Sequence, residues 1–111
     1  MAMTPEGAIK KRVKEILVDV GAWYCMPVGS GYGKSAVPDF IICHQGLFIA
    51  IETKAGNKQA TAIQAREIER IKAAEGIAWV INETNIAELK EWILSVSTLR
   101  PITTKSTVSQ K

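Results

Sequence analysis

From Ile9 onward, the apolar residues Ile9, Val13, Ile16, Leu17 and Val20 recur every three or four positions. That period lines one face of a helix. Thr4 is placed to cap this helix, Pro5 suits its first position, and Gly21 suits its end. Trp23 to Val28 is a short apolar run and is read as a strand. Val37–Cys43 and Leu47–Thr53 are richer in Ile, Val and Phe and are separated only by His44-Gln45-Gly46, which predicts an antiparallel hairpin. Both runs are almost continuously apolar, so the sheet is expected to be covered on both faces. A second helix begins at Thr61 with Ile63, Ile68 and Ile71 inward and Gly76 past its end, followed by a buried strand Ile77–Ile81. Asn85 and Glu88 form a capping-box pattern for a last helix carrying Ile86, Leu89, Ile93 and Val96. The predicted order is α-β-β-β-α-β-α, an α/β fold with a central sheet and flanking helices.

Length turns this order into a single domain. The chain has 111 residues, enough for one core and not for two. Residues 1–99 are expected to fold as that domain. The last twelve residues, 100–111, hold Arg100, Lys105 and Lys111, no acid and many Ser and Thr, the composition of a disordered basic tail. The formal net charge is +3, and setting the tail aside leaves 11 basic and 11 acidic residues. The folded part is therefore neutral, and pI alone says little about nucleic acid. The longest apolar runs, such as Leu47–Ile51, are too short to span a bilayer. The N-terminal residues show no apolar signal core, so no membrane association and a cytoplasmic location are expected. Cys25 and Cys43 lie 18 residues apart with His44 as the lone histidine. That is too few ligands for structural zinc, and free buried thiols are expected.

The chemistry gathers at one end of the hairpin. If the turn centres on Gln45 and Gly46, residue 44 pairs with 47 and, counting outward, Asp39 meets Glu52. Directly opposed side chains have Cβ atoms roughly 4.5–5.5 Å apart, and like charges placed so are destabilising unless offset. A divalent cation would offset them, and carboxylate oxygens suit magnesium or manganese. Lys54 follows Glu52 by two and so emerges on the same sheet face. This combination suits phosphodiester hydrolysis, with a lysine to stabilise developing charge or orient water. The bland alternative is a strand-end acid beside a solvated Glu–Lys pair.

Other residues are open to two readings. Glu6 continues the buried stripe of the first helix, where it could reach a metal directly or through water; equally, it is a first-turn acid favoured by the helix dipole and paired with Lys10. Gln64 follows Thr61 by three, which a capping box explains; alternatively it helps Lys54 position water or phosphate. The loop Gly29-Ser30-Gly31-Tyr32-Gly33-Lys34-Ser35 resembles a phosphate-binding loop, but Val28 stands where that motif needs its first glycine and Pro38 opposes the helix that must follow. A substrate-side loop, with Ser30, Tyr32 and Lys34 touching a DNA backbone, fits better.

Taken together, Val37-Pro38-Asp39, twelve residues, Glu52-Thr53-Lys54 and then Thr61-Ala62-Ile63-Gln64 resemble the VRR-NUC branch of the PD-(D/E)XK nucleases over roughly residues 5 to 95. The resemblance implies a restriction-endonuclease-like core and a divalent-metal-dependent deoxyribonuclease using Mg2+ or Mn2+. It implies Asp39 and Glu52 as metal ligands, the Thr53 carbonyl as a third, Lys54 as catalytic lysine, and functional roles for Gln64 and Glu6. The loop residues Lys34-Ser35-Ala36 depart from many members, so loop contacts do not transfer. Standalone members of this size resemble virus-borne homodimers that cut branched DNA such as Holliday junctions, which would place this one in a host cytoplasm. The alternatives are a catalytically silent DNA-binding module and a nuclease acting on linear or flap DNA.

Overall fold

In the computed structural model the described residues are 3–28 and 36–99. The expectations for Ser30, Tyr32 and Lys34 and for the tail from residue 100 fall outside them. The elements are α1 (Pro5–Val20), β1 (Trp23–Cys25), β2 (Phe40–His44), β3 (Leu47–Thr53), α2 (Ala62–Ala73), β4 (Ile77–Ile81) and α3 (Ile86–Leu99), in the predicted order. Thr4 caps α1 by accepting the Gly7 N–H at 2.9 Å, and Gly21 ends it with φ 75°, the left-handed conformation in which glycine carries no Cβ penalty.

Three strand boundaries differ from expectation. β1 stops at Cys25, and β2 starts at Phe40 rather than Val37, because Pro38 has no N–H for a ladder. At the other end His44 joins β2, leaving only Gln45 and Gly46 to turn, with φ 54° and 79°. Positive φ at both central residues matches the twist of a tight hairpin. The order β1-β2-β3-β4 has antiparallel pairs except β3 and β4, which run parallel and are joined across α2, as a parallel pair requires.

Alternation along the strands sends Phe40, Ile42, Ile49, Ile51 and Ile81 to one face, where α1 supplies Ile9, Val13 and Leu17 and α3 supplies Ile86, Leu89 and Ile93. This is the core. Leu89 is fully buried there, so Leu89→Ala is expected to destabilise the fold by about 2–5 kcal/mol. Urea unfolding would measure it, and a change below about 1 kcal/mol would contradict the packing of α3 on the sheet.

The second face is only half covered, contrary to expectation. α2 packs on β4 and reaches the Glu52 end of β3. A helix is about 10 Å wide and strands lie about 4.8 Å apart, so one helix covers about two strands. Across β1 to β3 the row Trp23–Cys43–Phe48 stays exposed, with Trp23 at 60% and Phe48 at 48%. Cys25 and Cys43 are free and exposed rather than buried. On α2 the inward stripe is Gln64, Ile68 and Ile71; Ile63, expected inward, is exposed one position off it. Asn85 does not spend its amide on the expected cap: it accepts from the Asn82 N–H and donates to the Val80 carbonyl, bracing the turn before α3. Among the described residues no helix is long and apolar enough to cross a membrane.

Candidate active site

The hairpin register runs from His44↔Leu47 to Phe40↔Ile51, so Asp39 stands one residue beyond the last rung and Glu52 opposite that position, as the turn count expects. Asp39 does not simply continue β2, however. Its Oδ2 accepts two hydrogen bonds from Thr53, one from the main-chain N–H at 2.9 Å and one from the hydroxyl at 2.6 Å. Two donors on one oxygen lock the carboxylate against a fully buried threonine. Its other oxygen, Oδ1, faces the Lys10 ammonium of α1 at 3.8 Å. The same ammonium is 3.7 Å from Glu6, so the i,i+4 pairing read from the sequence does form and α1 approaches the site through both residues.

Glu52 is buried at the end of β3, only 5% exposed. Its Oε2 accepts from the Gln64 side-chain amide at 2.9 Å and lies 3.9 Å from the Lys54 ammonium. Burial is the main reason its carboxyl is pushed up to about 7. The charges of Asp39 and Glu6 push the same way, while Lys54 and a main-chain hydrogen bond at Asp39 oppose them. The cluster thus carries more negative charge than its lysines balance.

Gln64 does form the capping box, and its side chain has a second partner that neither reading gave. Its Oε1 accepts from the Thr61 N–H at 2.9 Å, completing the capping box, while its amide nitrogen holds Glu52. The start of α2 is thereby pinned to the carboxylate. Lys54 is held in turn by its own N–H, which donates to the Ile81 carbonyl at 3.0 Å and carries the β3–β4 ladder one residue further. Five of the expected residues therefore converge: Asp39, Glu52, Lys54 and Gln64 directly, and Glu6 across Lys10. Ser30, Tyr32 and Lys34 lie outside the described residues.

Two contributors were not anticipated in these roles. Thr53 was considered for its carbonyl, yet its side chain and amide hold Asp39. The sequence offers Lys10 only as a partner of Glu6, yet it also faces Asp39. Its spacing from Glu6 was a signal for the first contact; nothing along the chain signals the second.

The oxygen-rich set fits a hard divalent cation, which would offset the surplus negative charge. Among the described residues no three side chains of His, Cys, Asp or Glu form one metal-binding group. Asp39 and Glu52 would therefore need the Thr53 carbonyl and oxygens of water or substrate to complete a shell, as magnesium commonly does. Glu6 shares the Lys10 ammonium with Asp39, and its charge is felt at Glu52. A shallow cleft of about 430 Å³ lined by Thr4, Pro5, Glu6, Ala55, Gly56, Lys58 and Glu83 opens beside Glu6. A wider one of about 560 Å³, between Gly46–Phe48 and the end of α2, lies at the opposite end of β3, away from these residues.

No protein-family model and no curated protein matches this chain. Among solved structures it is similar to one described as a VRR_NUC domain, with a TM-score of 0.68 and 22% identity over 83% of this chain and 96% of that one. It is also similar to Archaeoglobus fulgidus Hjc, a Holliday junction resolvase from an archaeal hyperthermophile, with a TM-score of 0.48 and 18% identity over 67% of this chain and 65% of that one; a fit that loose carries no weight. The first likeness shows the fold alone, the restriction-endonuclease-like core of a mixed sheet flanked by helices.

Proposed function

We propose that the chain is a VRR-NUC-type nuclease that hydrolyses DNA phosphodiester bonds with magnesium or manganese held by Asp39, Glu52 and the Thr53 carbonyl. The observation that carries this reading is the buried Glu52 carboxyl, pushed up to about 7 beside Asp39 with Lys54 at 3.9 Å. A buried acid crowded by a second acid is costly as a purely structural feature, and it makes sense where a cation binds. When bound, that cation supplies polarisation of the phosphate and an acidified water.

The protein's own groups do the rest. Thr53 fixes Asp39 and Gln64 fixes Glu52, so both carboxylates are aimed before anything binds. Lys54 has a mostly buried side chain. Its ammonium is poorly screened by water and suits charge developing on a phosphoryl oxygen. Glu6 would help through water, and Ser30, Tyr32 and Lys34 would contact the backbone. Because Thr53 acts through Asp39, Thr53→Val is expected to reduce cleavage about tenfold or more and to raise the metal concentration for half-maximal rate, with only about 1 kcal/mol of stability lost. An unchanged metal requirement would remove the Thr53 hydroxyl from the site.

We take the substrate to be branched DNA cut by a homodimer, since two sites related by a two-fold suit a four-way junction. The exposed, charge-free row of Trp23, Cys43 and Phe48 supports a dimer, having the aromatic, uncharged make-up of an interface centre. The test is a panel of junction, flap and duplex DNA with Mg2+, Mn2+ or chelator, beside a solution mass at micromolar concentration. Paired, metal-dependent cuts at the junction by a dimer are expected. No cleavage of any DNA with either metal would leave a silent binding module; equal cutting of flap or duplex, or a monomeric mass, would remove the junction reading.

A further inference from the structure

Thr53 engages Asp39 Oδ2 with two hydrogen bonds, at 2.9 and 2.6 Å. That leaves Oδ1 as the oxygen best placed to coordinate a cation, and Oδ1 is the one that faces Lys10 at 3.8 Å. The ammonium also lies 3.7 Å from Glu6 Oε2. Charge-assisted hydrogen bonds measure about 2.7–2.9 Å; at nearly 4 Å from both acids Lys10 is held by charge and not by directed bonds. Its side chain is one-third exposed, and it rides on a flexible four-carbon stem. Such a group is easily moved, and Glu6, one turn away on the same helix, gives it somewhere to stay.

We infer that Lys10 is a resident counter-ion that a divalent cation must displace from Asp39, so that its ammonium sets the cation affinity of the site. The inference rests on reading Asp39 as a ligand. It assigns Lys10 a positioning role outside the Asp-Glu-X-Lys pattern, and it gives Glu6 the task of keeping the displaced ammonium nearby. A unit charge about 4 Å from a bound dication still repels it appreciably even at water-like screening. Removing that charge is therefore expected to tighten cation binding by about five- to twentyfold.

The experiment is calorimetric titration of the full-length protein with Mn2+ alone, without DNA, for wild type, Lys10→Met, Lys10→Gln and Lys10→Arg, with thermal melts to confirm folding. Tighter Mn2+ binding by both uncharged variants, with Lys10→Arg close to wild type, is the expected result. Binding by either folded, uncharged variant that is unchanged or weaker than wild type overturns the displaced counter-ion while leaving the ligand reading intact. Absence of Mn2+ binding in wild type and variants alike overturns the ligand reading itself, and the counter-ion with it.

Discussion

Asp39→Asn is expected to leave the protein folded and to lower its metal-dependent cleavage of DNA by about a thousandfold. Replacing a group that merely supports a metal ligand commonly costs about 10–100-fold, so losing the charge of a ligand should cost more. Asparagine is the instructive substitution because its carbonyl oxygen can still accept from the Thr53 N–H, which reaches Asp39 at 2.9 Å. The loop before β2 should keep its anchor while the site loses one of its two central charges. Initial rates on a saturating DNA substrate with excess Mn2+, beside a thermal melt, separate the two effects. Cleavage within tenfold of wild type would show that Asp39 is an anchor and not a ligand.

Glu52→Gln should do two opposite things: abolish cleavage to a similar extent and stabilise the metal-free protein above neutral pH. The sign follows from the carboxyl being raised from an ordinary 4.5 to about 7, chiefly by burial. A raised acid favours its protonated form in the folded state, so its contribution to stability is fully present below about pH 4.5. It is lost as pH rises through about 7. A shift of this size corresponds to about 3–4 kcal/mol at most, shared with neighbouring charges. In chelator, wild type should lose stability between pH 5 and 8, while the glutamine variant, which can still accept from Gln64, should lose much less. Parallel stability curves would refute this account of Glu52. The expected trade between stability and activity is that of a site whose strain a bound cation relieves.

The two predictions draw on different kinds of information. Asp39, Glu52 and Lys54 were legible because strands have a strict period of two and tight hairpins a fixed register. Counting outward from Gln45-Gly46 gives the observed pairing of Phe40 with Ile51, and the next positions are the two acids. Gln64 was legible as a cap, since a helix start needs acceptors within its own first turn. All of these signals are local, read from residues within one hairpin or one helical turn.

What only the tertiary structure decided is how elements far apart in the chain meet. It turned Asp39 onto Thr53, carried Gln64 to Glu52 and brought Lys10 of the first helix to Asp39. It also left Trp23, Cys25, Cys43 and Phe48 uncovered, because an apolar strand pattern says that a face is to be buried, not whether the chain has a helix left to bury it. The sequence by itself determined the elements, their order, the hairpin register and therefore which residues meet at the end of the hairpin. Packing decided how those residues are aimed and how strongly their charges are felt, since burial and charge at a point depend on every element that closes around it.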